Sequence, residues 1–227
     1  AEMALLEIDD LKLSIGGAEI LKGVSLTLEA GEILGLVGES GSGKSMTSMS
    51  ILRLLPPEAT ASGAIRLGGE DLLACSEARM RALRGADIGV VFQEPMTALN
   101  PLMTIGDQVA EAVRLHRGAS RAEALAAAAR ALDRAGLPNA RFPLSRYPHE
   151  LSGGQRQRVA IAIATALKPR LLIADEPTTA LDVTIQAQIL ELLKSLARED
   201  GAGLILITHD LAVVAETADK VAILAGR

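Results

Sequence analysis

Hydrophobic and polar positions alternate through the first part of the chain. Leu11, Leu13 and Ile15 alternate with polar neighbours, and residues 24–28 repeat this pattern after a glycine pair at 16–17. A period of two residues is typical of half-buried antiparallel strands, which show one face to the core and one to solvent. The pattern therefore predicts antiparallel strands before residue 29, interrupted at the glycine pair.

A second kind of segment is short and mostly apolar, so it has little or no polar face. Five segments of this kind are predicted to be strands: 32–37, 88–92, 171–174, 203–208 and 220–224. Runs that are apolar on both faces are typical of a parallel sheet covered by helices. We therefore expect a mostly parallel sheet to form the centre of the fold.

Helical patterns lie between these strands. The pattern turns helical from about residue 104 to 168, and one Ala-rich helix is predicted there at roughly 120–135, with Gly136 and Pro138 as its stop signals. Further helices are predicted at about 44–55, 183–198 and 210–218. A proline pair directly after the first of these is expected to end it, because proline cannot continue a helix. Strands that alternate with helices predict an α/β fold.

Composition narrows the class of protein. The chain has 227 residues, enough for one domain or for one domain with an added lobe. Its 23 basic and 28 acidic residues leave a net charge of −5, which argues against a nucleic-acid-binding protein. No apolar run reaches the length of about 18 residues that a membrane span needs. Acidic residues interrupt any secretory signal near the N-terminus, so we expect an intracellular protein.

Aromatic side chains are almost absent, since Phe92, Phe142 and Tyr147 are the whole set. The core is therefore expected to be aliphatic. Phe92 ends a predicted strand and is expected to lie in the core of that strand. Cys75 is the single cysteine, which excludes an internal disulfide and fits a reducing compartment.

A glycine-rich segment after the predicted strand 32–37 matches the pattern G-x-x-x-x-G-K-[ST]. Its glycines allow a tight turn whose backbone N–H groups face an anion, the lysine adds a charge for phosphates, and the final hydroxyl suits Mg²⁺. A Gly/Ser-rich surface turn is the alternative, but the strand before and the helix after it favour a phosphate-binding loop. The segment consists of Gly38, Glu39, Ser40, Gly41, Ser42, Gly43, Lys44 and Ser45.

Polar side chains directly follow three of the other predicted strands. Asp175 and Glu176 follow 171–174, Gln93 follows 88–92, and His209 follows 203–208. Ligands of open α/β sheets bind at the carboxyl ends of the strands. Asp175 could hold Mg²⁺, Gln93 could reach the metal or a water, and Glu176 could act as a general base. Alone, each would be an ordinary strand end.

The segment Leu151-Ser-Gly-Gly-Gln155 makes the chain resemble a known family. With the phosphate loop upstream and Asp175-Glu176 about twenty residues downstream, the order of motifs is similar to that of the nucleotide-binding domain of ABC ATPases. Ser152 can cap a helix that begins there. The resemblance implies that this segment faces the γ-phosphate of ATP bound to a partner subunit. The residues concerned are Ser152, Gly153, Gly154 and Gln155.

The resemblance also implies a fold and roles for single residues. The fold is a P-loop NTPase core with a mostly parallel sheet, an N-terminal antiparallel β subdomain and an inserted α-helical lobe. Residues 1–92 and 169–227 would form the core with its β subdomain, and 93–168 the lobe, including the signature helix. Further implied roles are Glu176 as catalytic base, Gln93 in the Q-loop, His209 as switch histidine and Asp182 in the D-loop.

Three loops resemble one branch of the family, the importers of dipeptides, oligopeptides, glutathione and nickel. They are residues 92–101, 146–150 and 174–183. This resemblance implies a peripheral protein on the cytoplasmic face of the bacterial inner membrane, with ATP and Mg²⁺ as cofactors. Its implied partners are a second ABC ATPase domain, two transmembrane permease subunits and, indirectly, a substrate-binding protein outside the membrane. No nucleic acid is implied.

Ile15 departs from the family pattern, in which an aromatic residue near this position stacks on adenine. We expect Ile15 to give the base only apolar contact.

Two further functions are compatible with an ABC-type sequence: a soluble ATPase that acts on DNA or ribosomes, and a nucleotide-binding regulator without turnover. The cargo, the identity of the partner ATPase and whether the chain is half of a tandem protein are not fixed by the sequence.

Overall fold

The computed structural model describes residues 2–92, 94 and 98–225. Within them the strands are β1 (Leu6–Ile15), β2 (Ala18–Leu28), β3 (Ile33–Gly38), β4 (Ala59–Leu67), β5 (Glu70–Asp71), β6 (Ile88–Val91), β7 (Leu171–Asp175), β8 (Gly203–Thr208) and β9 (Lys220–Leu224). The α-helices are α1 (Lys44–Leu52), α2 (Glu77–Leu83), α3 (Ile105–Arg117), α4 (Arg121–Arg134), α5 (Gly153–Thr165), α6 (Val183–Asp200) and α7 (Leu211–Thr217). A 3-10 turn spans Pro148–Glu150.

An antiparallel sheet contains the N-terminal strands in the order β2-β1-β4-β5. The β1–β2 hairpin turns at the glycine pair 16–17, where both residues have positive φ. Alternate positions of β1 are buried, including Leu11 and Leu13, so the period of two correctly predicted its inner face. The antiparallel subdomain is confirmed.

A parallel sheet follows the order β6-β7-β8-β3-β9, and all four of its pairings are parallel. In the register of the sheet, Val37 pairs with Thr208 and Asp175 pairs with Ile207. The carboxyl ends of β3, β7 and β8 therefore meet at one edge. This edge carries the phosphate-loop segment and the acidic pair.

Both faces of the parallel sheet are covered. One face packs with α1 against the antiparallel sheet through Leu36, Ile173 and Ile205, and the other packs against α6 through Leu172 and Leu206. A separate, mostly aliphatic cluster lies among α3, α4 and α5 and includes Phe142. Among the described residues, no helix is both long and apolar enough to cross a membrane.

The helix boundaries differ from the sequence prediction in two places. Helix α1 ends at Leu52, three residues earlier than predicted, because Arg53 takes a left-handed conformation and its N–H bonds the carbonyls of Met49 and Ser50. Its guanidinium also bonds the carbonyl of Leu72, a long-range contact that the local sequence does not reveal. The helix predicted at 120–135 ends at Arg134, close to its predicted stop signals, but residues 139–147, within the wider segment expected to be helical, form turns and loops.

The prediction that Phe92 lies in a strand core was wrong. Strand β6 ends one residue earlier, at Val91, and 39% of Phe92 is exposed. The apolar run 88–92 continued past the last residue that pairs with β7, so hydrophobicity alone placed the boundary one residue too far.

Candidate functional site

The segment Gly38–Ser45 connects β3 to α1 at the carboxyl edge of the parallel sheet. Gly43 is the N-cap residue of α1 and has a φ of 93°. A side chain is strained at this φ, and a Cβ there would lie 2.5 Å from Leu21 Cδ2. The loop can therefore turn directly into the helix, so the N-terminus of α1 borders the cavity lined by Gly43, Lys44 and Ser45. A glycine-rich turn before a helix N-terminus is an arrangement that binds anions.

The Lys44 side chain folds back along the phosphate loop. Its ammonium group donates to the carbonyls of Gly38 and Glu39, the latter at 3.2 Å, and only 7% of the residue is exposed. These bonds hold a positive charge at the mouth of the loop. The loop thus presents backbone donors and a fixed cation to the same space.

Asp175 ends β7 beside this loop and is 6% exposed. Burial raises the pKa of its carboxyl group, the Ser45 hydroxyl lowers the pKa by hydrogen bonding, Glu176 raises it and the Lys44 ammonium lowers it. One carboxylate oxygen, Oδ1, is buried without a hydrogen-bond partner among the described residues. A buried anionic oxygen next to a hydroxyl is a ligand set that suits Mg²⁺.

Glu176 and His209 meet directly at this edge. His209 Nδ1 lies 2.9 Å from Glu176 Oε2 and 3.2 Å from Oε1. The glutamate side chain is 13% exposed and the histidine side chain 71%. Glu176 has a φ of 49°, an uncommon conformation for a residue other than glycine, and its N–H donates to the carbonyl of Ile207 at 2.8 Å. Its carboxylate is therefore fixed in position by both backbone and side chain.

A cavity of about 1070 Å³ connects these groups. Most of the phosphate loop lines this cavity, together with Glu176 and His209. Asp175 and Ser42 are buried and are not part of its wall. A volume of this size is sufficient for a nucleotide-sized ligand. The sequence-predicted residues in its wall are Gly38, Glu39, Ser40, Gly41, Gly43, Lys44, Ser45, Glu176 and His209.

The segment Ser152–Gln155 begins helix α5, as predicted. The Ser152 hydroxyl accepts from the N–H of Gln155 at 3.2 Å, and the Gln155 side chain accepts from the N–H of Ser152 at 2.9 Å. A Cβ at Gly154 would lie 2.8 Å from Ile185 Cγ2, so this glycine allows α5 to approach α6 closely. Among the described residues, a Cβ added at Gly153 would meet Leu181 Cδ2 alone, at 3.6 Å.

Several predicted site residues do not line the cavity in this chain. The segment Ser152–Gln155 is not part of its wall, and Asp182 caps α6 by accepting from the N–H of Ile185 at 2.9 Å. Ile15 is half-buried in β1 and packs against the core, so its contact with adenine stays a prediction. Gln93 lies outside the described residues.

Comparison with known proteins identifies the family. A family model described as "ABC transporter" matches residues 21–179, more than half of the chain. The chain belongs to the ABC transporter family. The match includes the phosphate loop, the α5 segment and the acidic pair.

Two relatives within the ABC transporter family show that this chain is similar to import ATP-binding proteins. A Brucella melitensis protein whose name is that of a peptide import ATP-binding protein is 57% identical over 212 residues, which are 90% of this chain and 63% of that protein. The glutathione import ATP-binding protein GsiA of Salmonella typhimurium is 54% identical over 217 residues, 91% of this chain and 34% of GsiA. The chain thus spans about 63% or less of the length of these curated relatives.

Solved structures of ABC proteins have the same fold. The dimeric, post-hydrolysis structure of the ATP-binding cassette MJ0796 bound to ADP and Pi has a TM-score of 0.82 and 34% identity, covering 96% of this chain and 94% of that one. The structure of cbiO1 from Clostridium perfringens, part of the transporter complex cbiONQ, has a TM-score of 0.84 and 29% identity, covering 98% and 85%. The predicted ABC ATPase fold is therefore confirmed.

Sequence reasoning missed some residues of this ABC site. Thr179, Leu211 and Ile223 also line the cavity. Gln157, on α5, is fully buried, and its side-chain amide donates to the carbonyl of Pro177 in the loop that follows β7. Thr179 and Leu211 each lie within three residues of a predicted site residue, in the segments that follow β7 and β8, so their place in the sequence was a usable signal. The burial of Gln157 had no such signal, because a glutamine in a helix is usually exposed.

Proposed function

We propose that this chain binds ATP with Mg²⁺, hydrolyses it, and powers a bacterial ABC importer whose cargo is a peptide. The observation that carries the proposal is the convergence of three groups at the carboxyl edge of the parallel sheet: the phosphate loop and the Glu176–His209 pair, which line the cavity, and the buried oxygen of Asp175 beside them. Phosphate binding, metal binding and water activation are the three tasks of phosphoryl transfer to water.

The phosphate groups of ATP would bind at the backbone N–H groups of the loop and at the N-terminus of α1. The Lys44 ammonium, already beside the loop carbonyls, would neutralise the outer phosphates. The Ser45 hydroxyl and the free oxygen of Asp175 would hold Mg²⁺, together with Gln93. The bound metal would stabilise charge on the transferred phosphate.

Glu176 would activate the attacking water. Its carboxylate borders the cavity but is largely shielded from solvent, so it can accept a proton close to the phosphate. His209 would orient this carboxylate through the 2.9 Å contact and reach the γ-phosphate side of the cavity. Asp182, in the loop after Glu176, would contact the partner domain.

A second ATPase domain would complete the site. Ser152–Gln155 do not line the cavity of their own chain, but their helix N-terminus and glycines can face the ATP of a partner. Apolar side chains near the site are exposed, as an interface requires: Leu211 is 59% exposed and Val183, next to Asp182, is 81% exposed. The related cassette MJ0796 is dimeric.

The domain organisation follows the same proposal. Residues 1–92 and 169–227 would form the core that binds nucleotide, and 93–168 the helical lobe that contacts the membrane subunits. The separate aliphatic cluster of α3, α4 and α5 supports a lobe with its own core. The chain would therefore lie on the cytoplasmic face of the inner membrane, bound to two permease subunits and coupled through them to an external substrate-binding protein.

The importer part of the proposal is tested by isolating the full-length protein from membranes. An affinity-tagged copy, expressed from its own promoter, is extracted in mild detergent and its partners are identified by mass spectrometry. Two hydrophobic membrane proteins should accompany it in stoichiometric amounts. Recovery with ribosomes or DNA, and without membrane proteins, would instead support a soluble ABC ATPase.

The proposed metal site predicts that Asp175→Asn has opposite effects on the melting temperature without and with ATP and Mg²⁺. Without nucleotide, Asp175→Asn should raise the melting temperature at neutral pH, because it removes a charge that burial disfavours. Each kcal/mol would appear as roughly 2–4 °C in a chain of this size. With ATP and Mg²⁺, Asp175→Asn should instead melt at a lower temperature than wild type, because it binds the metal less well. Its turnover should fall at least about 100-fold, because the metal supplies several kcal/mol of charge stabilisation.

The dependence on pH gives an independent check. Because the folded pKa of Asp175 is raised, its protonated form stabilises the fold at low pH, and this contribution is lost as pH rises through the folded pKa. The gain of Asp175→Asn without nucleotide should therefore shrink as pH falls. Asp133→Asn, at an exposed position of α4, is the matched control and should change neither stability nor turnover. If nucleotide-free Asp175→Asn melted at a lower temperature than wild type at neutral pH, the proposed cost of burying the Asp175 charge would be contradicted.

A further inference from the structure

A buried glutamine lies on the helix that begins with the signature segment. Gln157 is five residues after Ser152 on α5 and is 0% exposed. Its side-chain amide donates to the carbonyl of Pro177 at 2.5 Å, across twenty residues of sequence. Its other polar atom, Oε1, is buried without a hydrogen-bond partner among the described residues.

Pro177 directly follows Glu176, so this hydrogen bond holds the peptide next to the carboxylate. Glu176 itself is held from the other side, where its N–H donates to Ile207 of β8. Farther along the same turn, the Gln186 amide of α6 donates to the carbonyls of Thr178 at 3.3 Å and Leu181 at 2.9 Å. Two glutamine amides therefore fix the turn that joins Glu176 to α6, one from each neighbouring helix.

Packing does not explain why a glutamine occupies this place. An amide oxygen buried without a partner destabilises the folded state, and an apolar side chain of similar shape would avoid that cost. The amide does supply one thing that an apolar side chain cannot, a directed bond to the peptide after Glu176. The bond joins two parts of the molecule that serve different ATP molecules in the proposed dimer.

We propose that Gln157 is a positioning residue that couples the two ATP sites of the dimer, an inference that rests on the proposed function. The N-terminus of α5 contacts ATP held by the partner, and Gln157 lies on the same rigid helix, about 7 Å along its axis. A movement of α5 when the partner's ATP binds is transmitted through the amide to Pro177 and hence to the carboxylate of Glu176. Coupling of this kind is reciprocal between the sites.

The test replaces Gln157 by methionine, which has a similar volume and no donor. In the full-length protein, Gln157→Met should bind ATP within about twofold of wild type in the nucleotide-binding assay, because the phosphate loop is untouched. The turnover number should fall about 10- to 100-fold, at or below the lower limit of the roughly 10²–10⁴-fold effect of losing a general base, because the base is displaced and not removed. The Hill coefficient for ATP, expected to exceed 1 in wild type, should fall toward 1, because ATP at one site no longer affects the other site.

Gln108→Met is the matched control. Gln108 is also a buried glutamine on a helix, and its amide donates to the carbonyls of Asn100 at 2.8 Å and Met103 at 3.0 Å, within the helical region. Its replacement should lower the melting temperature at least as much as Gln157→Met, because it loses more hydrogen bonds. It should leave the Hill coefficient unchanged. Gln157→Asn, which keeps an amide but withdraws it by one methylene, gives a second variant if Gln157→Met fails to fold.

Hydrogen exchange of the nucleotide-free protein gives a readout that does not depend on turnover. The amides of residues 178–182 should exchange faster in Gln157→Met than in wild type or Gln108→Met. Faster exchange with an unchanged Hill coefficient and turnover would overturn the coupling and leave only a structural bond. A wild-type protein without Mg²⁺-dependent ATP hydrolysis would refute the proposed function itself, an outcome that this comparison distinguishes from a failure of the coupling alone.

Discussion

Glu176→Gln is expected to lower the rate of ATP hydrolysis about 10²–10⁴-fold, the usual effect of losing a general base. Glutamine has nearly the same shape as glutamate but cannot accept the proton of the attacking water. The phosphate loop and Asp175 are unchanged, so ATP should still bind with an affinity near that of wild type. ATP that binds and is not cleaved should accumulate between two domains.

Single-turnover hydrolysis and equilibrium ATP binding measure the two halves of this prediction separately. Size-exclusion chromatography with ATP and Mg²⁺ should show a dimer for Glu176→Gln and mostly monomer without nucleotide. Glu191→Gln, at an exposed position of α6, removes the same charge away from the cavity and serves as the control. Hydrolysis close to wild type in Glu176→Gln would show that another group activates the water.

The position of Glu176 explains why a small change should have a large effect. Its backbone is held at a φ of 49° and its carboxylate lies 2.9 Å from His209 Nδ1. A non-glycine residue in this conformation costs of order 1–3 kcal/mol, and the surrounding structure must hold it there. Such fixed geometry is of use at a reacting centre, where a group displaced by a small distance loses most of its effect.

Much of this site could be predicted because its parts are local in sequence. The phosphate loop needs only a buried strand, glycines in register and a following helix, all within residues 33–52. Asp175 and His209 could be assigned to one edge because parallel strands end together, and the 2.9 Å contact between His209 and Glu176 agrees with that argument.

Elements fixed by distant contacts were not predicted. Strand β4 contains Gly63 and several small residues, so its pattern is weak, and it forms because it pairs with β1 on both sides of an irregularity at Gly63. The early end of α1 depends on Arg53, whose guanidinium reaches the carbonyls of Leu72 and Cys75. Gln157 belongs to the same class, because its partner lies twenty residues away. Local pattern carries no information about such partners.

Ser152→Arg is expected to abolish at least about 99% of hydrolysis, comparable with removing a donor that stabilises transition-state charge. The long side chain would occupy the space in front of the α5 N-terminus that the partner's ATP needs. Binding of ATP to the monomer should stay within about twofold of wild type, since Ser152 does not line the cavity of its own chain. If the complete site needs two domains, as proposed, wild-type activity should rise more steeply than protein concentration.

Ser120→Arg separates this effect from loss of helix capping. Ser120 caps α4 in the same way that Ser152 caps α5: its hydroxyl accepts from the N–H of Glu123 at 3.2 Å, and the Glu123 side chain accepts in return. Each substitution removes one such cap, worth about 0.5–2 kcal/mol, so the two variants should lose similar thermal stability. Only Ser152→Arg should lose hydrolysis, because in the proposed dimer only α5 would face a partner's ATP. Equal activity of the two variants, or a wild-type specific activity that is independent of concentration in a monomeric protein, would place the complete site within one chain.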